Sequence, residues 1–171
     1  KIASNNQNIR IRFSTSNPQD MKDDVLKTIA KHENICNYIH LPVQSGSSKI
    51  LQLMNRGHTR EWYLDRIASI NKHIPNCGLS SDFITGFCDE TEDDHQLTLS
   101  LMEEVKYHFS YMFYYSERPN TFAERKLKDN VAIEVKKRRL QDIINLQQTH
   151  SLLRNQQALE NNYEVLIEGV S

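Results

Sequence analysis

Gln44 and Arg56 lie twelve residues apart in "HLPVQSGSSKILQLMNRGHT" (40–59), where a short apolar run breaks at Pro42 into a loop of small polar residues that includes Ser45. A guanidinium binds a carboxylate through two parallel hydrogen bonds, and a glutamine amide pairs with ribose hydroxyls or other amides. At one strand end the two could hold both polar ends of a nucleotide-like amino acid. The plainer use of the same residues is a helix cap and a solvated helix-end cation. Asp82 sits in an otherwise apolar run, "SSDFITGF" (80–87), where a carboxylate is costly unless hydrogen-bonded. Two ribose hydroxyls would satisfy it, and so would a neighbouring backbone group or arginine. Gly86 leaves room for a flat ring to approach the backbone, or marks a bend.

Other clusters carry weaker chemistry. "FCDETEDD" (87–94) gathers carboxylates and a thiol, yet acidic residues at a helix N-terminus are the common reason for such a run, and no metal is assigned to it. "YYSERPNTFAERKL" (114–127) combines aromatic residues at a strand end, Tyr115 and Ser116 among them, with Arg118 and a Pro-Asn turn that could stack against a base. "VKKRRLQ" (135–141) puts Lys136, Lys137 and Arg138 on one helix; such a run is usually a solvated face, and counts toward RNA binding only beside other RNA-binding features. His40, at a strand end, is the one histidine to watch, with a satisfied, partly buried imidazole as its simplest role. Cys36, Cys77 and Cys88 stand 41 and 11 residues apart, a spacing that matches no zinc, redox or iron–sulfur loop.

These residues need strands and helices to place them. "IRIRFSTS" from Ile9 has the period of a strand, and Asn17 and Pro18 then open a helix with Met21, Val25 and Ile29 on one face. "YIHLPV" is a short strand, followed by a helix with Tyr63, Ile67, Ile70 and Ile74 in line before Pro75. "LSSDFITGF" is the next strand; Thr91 caps its helix, with Leu97, Leu101 and Val105 as the stripe. "FSYMFYYS" is the fourth, and a long helix over about 131–160 carries Leu140, Ile143, Ile144 and Gln147. Strands alternating with helices predict a parallel sheet with helices outside it. A closed barrel takes eight such units, so four predict an α/β partial TIM-type barrel or a small open sheet, with functional loops at the carboxyl ends of the strands.

Composition fits a globular chain: 38% hydrophobic, 25% charged, net charge −1, hence no global basic field to announce nucleic acid. No run reaches the roughly 18 apolar residues of a membrane span, no signal peptide precedes the first polar segment, and unpaired thiols suit a reducing compartment, so the cytoplasm is expected. The chain opens "KIASNNQ" without a methionine and stops in "YEVLIEGVS" (163–171), an alternating strand-like run with nothing to pair with. It is expected to be a piece of a longer protein, with a main domain over 1–160 and the truncated start of a β module over 161–171.

"RIRFSTSNP", "HLPVQSGSSKILQLMNRGHTREWY", "SSDFITGFCDETEDDHQLTL" and "YMFYYSERPNTFA", in that order, resemble the second half of the radical-SAM domain of the tRNA methylthiotransferases, most closely the type acting on N6-(dimethylallyl)adenosine. "YEVLIEGVS" is similar to the opening of their small RNA-binding β-barrel, the TRAM domain. The resemblance implies insertion of a methylthio group at C2 of a prenylated adenosine beside the tRNA anticodon. It implies S-adenosylmethionine, cleaved to a 5′-deoxyadenosyl radical at one 4Fe–4S cluster, and a second 4Fe–4S cluster for sulfur donation. The cysteines of both clusters would lie outside this chain, which alone would be inactive.

By the same resemblance Gln44 and Asp82 would hold ribose hydroxyls and Arg56 the methionine carboxylate. Ser45, Gly86 with the 84–87 backbone, and Tyr115-Ser116 would complete the cofactor site, while Arg118, Lys136, Lys137 and Arg138 would face RNA. Where that family shows Phe-Pro-Gly-Glu-Thr this chain has Phe87-Cys88-Asp89-Glu90-Thr91, and where it shows Arg-Pro-Gly-Thr this chain has Arg118-Pro119-Asn120-Thr121. Two alternatives stay open: a methylthiotransferase for threonylcarbamoyl-adenosine tRNA or for a ribosomal protein, and a non-catalytic nucleotide- or RNA-binding α/β module.

Overall fold

The computed structural model describes residues 2–14, 17–162, 167 and 169. Three parallel strands form its sheet in the order β1 (Tyr38–His40), β2 (Gly78–Thr85), β3 (Phe109–Tyr114). The connections run through α3 (Ser48–Leu53) and α4 (Arg60–His73) between β1 and β2, and through α5 (Glu92–Val105) between β2 and β3. Parallel neighbours require such crossovers. Ahead of them stand α1 (Ile2–Asn5), a 3₁₀ turn (Pro18–Asp20) and α2 (Asp23–Lys31); after β3 come α6 (Phe122–Lys126) and the long α7 (Ile133–Ala158). The architecture is a partial TIM-type barrel.

Local chemistry explains most boundaries. The Asn17 side chain accepts from Gln19 N at the 3₁₀ turn, Ser47 caps α3, and Thr91 and Asp94 form a reciprocal capping box on α5. On α4 the residues Tyr63, Ile67 and Ile70, with Ile74 just past its end, are all buried, as their spacing predicts. Elsewhere the stripe shifts by one position. Leu97 is 42% exposed, and Thr98 and Met102 join Leu101 and Val105 on the buried face of α5; on α2, Leu26 is buried beside Met21 and Ile29 while Val25 is exposed.

Among the described residues, the first expected strand is reduced to a single parallel bridge, Ile11 to Ile35, with Ile11 N donating to Asn34 O (2.7 Å) and Cys36 N to Ile11 O (2.9 Å). Ile11 and Phe13 find partial cover, whereas Ile9 is 49% exposed, so only the middle of that run gains from burial. The strand expected over 163–171 falls mainly outside the described residues.

Alternation along the strands divides the sheet into two faces. Ile39, Leu79, Ser81, Phe83 and Ser110 are buried, with Tyr63 and Tyr107 completing the fully buried core. Tyr63 Oη donates to Leu41 O (2.9 Å) and Tyr107 Oη donates to Tyr63 Oη (3.0 Å), so the two hydroxyls satisfy each other inside that core. The register pairs Asp82 with Tyr111 and Ile84 with Phe113 on the opposite face, where both aromatic rings are exposed.

Candidate functional site

Gln44 continues the line of β1 past Pro42. It makes an isolated parallel bridge with Phe83: Gln44 N donates to Asp82 O and Ile84 N to Gln44 O, each at 2.9 Å. Its φ of +76° is a left-handed conformation that a residue with a Cβ adopts only under constraint. Gln44 is buried, its side-chain amide has no hydrogen-bond partner among the described residues, and the cap of α3 is Ser47. The helix-cap role is therefore excluded for Gln44.

Ser45 is fully buried and turns to α5, where its hydroxyl meets Thr98 Oγ1 (3.4 Å) and accepts from Ser47 N (3.2 Å). Gly46 N donates to the same Thr98 hydroxyl, and Ser47 Oγ donates to Asp94 Oδ1 (2.7 Å). Ser45 thus anchors the loop from behind and is not a wall of an open site.

Arg56 follows α3, its backbone N–H held by Leu51 O (2.8 Å). Its side chain is half-buried rather than solvated, and its guanidinium has no ion-pair or hydrogen-bond partner among the described residues. Burial lowers its affinity for the proton, and the Asp82 carboxylate opposes that trend. The neighbouring His58 is pushed down as well, by burial first and by the Arg56 charge second. Asp82 in turn contacts His40 Nε2 (3.3 Å), while His40 Nδ1 meets Ser80 Oγ (2.9 Å). The histidine singled out from the sequence is the local partner of the carboxylate singled out from the sequence.

Gly86 has φ +68°, and the space a Cβ would take is filled by the Lys136 side chain. That side of Gly86 is closed to a ligand ring. Gly86 N donates to Glu90 Oε2 (2.6 Å), and Glu90 is buried against Arg139. Burial raises the Glu90 carboxyl, against the opposing pull of the Gly86 amide and Arg139. Tyr115 packs edge-on against Phe87, with centroids 4.7 Å apart; burial, then nearby Cys88, pushes its hydroxyl up to about 12.

A cavity of about 580 Å³ opens between these strand ends, lined by Arg56, Ile84, Phe87, Tyr115, Ser116 and Arg118 among others. Arg56, Tyr115, Ser116 and Arg118 therefore share one hollow, which Gln44 joins through the backbone, Ile84 N donating to Gln44 O and Gln44 N to Asp82 O.

The basic run divides by face. Lys137 is exposed and Arg138 is half-exposed, paired with Glu92 (2.6 Å) and Asp142 (3.2 Å). Lys136 is buried, with Nζ 2.6 Å from both Asp129 oxygens, so it is not a surface contact for RNA. Arg139, which the sequence reading passed over, is also buried. The acidic run over 87–94 serves the N-terminus of α5, and among the described residues no three His, Cys, Asp or Glu side chains converge as metal ligands. Cys77 is buried, its thiol pushed up to about 11 by burial.

Residues 1–102 match the family model of the radical SAM superfamily. The chain belongs to the radical SAM superfamily. It is 58% identical over 171 residues to the tRNA-2-methylthio-N(6)-dimethylallyladenosine synthase of Amoebophilus asiaticus, covering 99% of this chain and 35% of that protein. Its identity to the enzyme of that name from Christiangramia forsetii is 62% over 170 residues, with the same coverage; the Bacteroides thetaiotaomicron protein gives 59% over 163 residues, 95% of this chain and 36% of that one. This radical SAM chain thus spans about a third of the length of the curated relatives it matches. Among solved structures, Escherichia coli coproporphyrinogen III oxidase (HemN), described as a radical SAM enzyme, superposes with a TM-score of 0.67 at 23% identity, over 82% of this chain and 32% of that one. That likeness establishes the fold.

Proposed function

We propose that this chain is the S-adenosylmethionine-binding wall of a tRNA methylthiotransferase that acts at C2 of N6-(dimethylallyl)adenosine next to the anticodon. The observation that carries the reading is Arg56: a half-buried guanidinium that makes no ion pair or hydrogen bond among the described residues and has the Asp82 charge only at a distance, facing a cavity at the carboxyl ends of parallel strands. A buried cation without a partner is costly, and a bound carboxylate removes that cost. The unpartnered Gln44 amide suits a ribose hydroxyl on the same grounds, and Asp82, oriented by His40, retains acceptor capacity for another. The adenine then lies along the 84–87 backbone and the Tyr115-Ser116 strand end.

Bound here, S-adenosylmethionine would supply radical chemistry together with a 4Fe–4S cluster, and a second cluster would serve sulfur donation. The chain's own part is to hold the methionine carboxylate, the ribose and the ring. Cysteine ligands for both clusters belong to the remainder of the full-length protein, so the chain alone is inactive. Residues 1–160 are the end of the radical SAM domain and 161–171 the start of the RNA-binding module; Arg118, Lys137 and Arg138 contribute to the tRNA surface. The substrate assignment rests on the names of the relatives.

The test is S-adenosylmethionine binding by the full-length protein with Arg56→Ala. Loss of a charged, bidentate contact weakens binding by about tenfold or more. Wild-type affinity in that variant would refute the assignment.

A further inference from the structure

The inward face of α7 is unusual in its first turns. Lys136, Arg139, Ile143, Gln147 and His150 are its buried residues, spaced as one helical stripe, and the first two are cations. Each is matched by a carboxylate. Lys136 Nζ sits 2.6 Å from both Asp129 oxygens, and Arg139 Nη1 sits 2.8 Å from Glu90 Oε2. A buried ion pair is rarely more stabilising than apolar residues of the same volume, so stability alone does not account for two of them in succession. What they do distinctively is fix backbone.

Lys136 Nζ also donates to Tyr115 O (3.2 Å) and lies 5.1 Å over the Tyr115 ring, while its stem fills the space beside Gly86. Arg139 Nη1 also donates to Glu90 O (3.0 Å), and Glu90 Oε2 accepts from Gly86 N (2.6 Å). Thr85 Oγ1, one residue earlier, reaches Lys136 O (3.4 Å). The ends of β2 and β3 that flank the cavity are therefore held from behind by two side chains three residues apart on a single helix.

We propose that Lys136 and Arg139 are positioning residues for the cofactor: from the rear of the sheet they set the backbone at Gly86 and Tyr115 against which the adenine is bound. This rests on the reading of the cavity as the S-adenosylmethionine site. Neither side chain touches the cofactor. Lys136 holds the Tyr115 carbonyl directly and the Gly86 turn by packing, and Arg139 holds Gly86 through Glu90. A left-handed glycine with its amide bonded to a fixed carboxylate cannot drift, so a ring bound in front meets a preformed surface.

The experiment compares Arg139→Met, Lys136→Met and Arg56→Ala in the full-length protein by S-adenosylmethionine titration, by hydrogen exchange of peptides covering 84–90 and 113–118, and by melting temperature. Lys136→Met keeps the stem beside Gly86 and removes the ammonium, so it decides the question should Arg139→Met fail to fold. Both Met variants are expected to bind S-adenosylmethionine about tenfold more weakly, as one charged hydrogen bond would give, with faster exchange at 84–90 or 113–118 and unchanged exchange in α4. In steady state the KM for S-adenosylmethionine rises while kcat at saturation holds. Wild-type binding by every Met variant that folds, whatever its melting temperature, combined with weak binding by Arg56→Ala, overturns the positioning role and leaves the cofactor site standing. Wild-type binding by Arg56→Ala overturns the site and the positioning role with it.

Discussion

Gly46→Ala tests how tightly the Gln44 loop is pressed on α5. A Cβ at Gly46 would lie 2.5 Å from Thr98 Cα and 2.6 Å from the Leu97 carbonyl carbon, and closer still to Leu97 O. Real Cβ contacts essentially never fall under 3.0 Å, and the obstacles here are helix backbone, so loop and helix must part by at least half an ångström. Overpacking of this kind costs about 1–3 kcal/mol. The same movement breaks the 2.9 Å bond from Gly46 N to Thr98 Oγ1, which adds about 1 kcal/mol. The sum, about 2–4 kcal/mol, lowers the melting temperature by roughly 4–16 °C for a chain of this size. Gly57→Ala is the control, because the nearest atoms its Cβ would meet belong to the Gln19 carboxamide, which can swing away; it should cost under about 1 kcal/mol. Thermal melts of both variants, paired with S-adenosylmethionine titration, read the result. A Gly46→Ala protein that melts within about a degree of wild type, or no lower than Gly57→Ala, would refute the reasoning.

Two further outcomes follow from buried polar groups. Tyr63→Phe strips Tyr107 Oη of its acceptor inside the core and should cost about 1–2 kcal/mol, whereas Tyr63→Phe with Tyr107→Phe should cost less than the two single changes added together; strict additivity in urea unfolding would contradict this. Asp94 supplies one share of the acid-dependent stability, beside Glu92, which bonds from Arg138 and Gln96 likewise hold at about 2. Burial pushes the Asp94 carboxyl up, but bonds from Lys49, Ser47 and Thr91 outweigh burial and hold it at about 2, below its ordinary 3.8. A depressed carboxyl stabilises the fold fully above its unfolded value and loses that contribution as pH falls through its folded value. The loss of about 1–2 kcal/mol should fall between pH 4 and pH 2. Asp94→Asn should lessen the slope in that window in a pH series of melts, and an unchanged acid slope would exclude Asp94 as a contributor.

Strand periodicity, the Asn17 and Thr91 caps and the α4 stripe were legible because each depends on neighbours in sequence. So was backbone conformation at one position. Asn120, which stands where the resembling family shows glycine, has φ of +65°, as a residue tolerant of the left-handed region should; Asp89, whose loop the sequence leaves open, also takes a left-handed φ of +60°. What could not be read was which face of an element a charge occupies. "VKKRRLQ" reads as a solvated run by composition, yet Lys136 and Arg139 lie three residues apart and seven and four before Ile143, on the apolar stripe of α7. Extending the helical spacing backward from Ile143 would have found them. Ser45 was misread for the converse reason: a small polar residue next to a candidate ligand residue can point to the opposite side of a tight loop.

Contacts at long range in sequence depend on register, which periodicity leaves open. Residues 40 and 80 meet because β1 and β2 pair Tyr38 with Gly78 in parallel. That alignment brings His40 to Ser80 and Asp82, and beyond Pro42 the offset changes by one residue, so that Gln44 pairs with Phe83 and not with Ile84. A shift of one residue in the pairing of β1 with β2 would put the His40 and Asp82 side chains on opposite faces of the sheet. Ile39, Leu41 and Val43, all fully buried, fix the alignment by claiming the helix-covered face for themselves. The polar residues of the site are thus placed by the apolar ones between them. An isosteric change at Gln44 or Asp82 should therefore alter binding with little effect on folding, while a polar substitution at Leu41 or Val43 should remove both together.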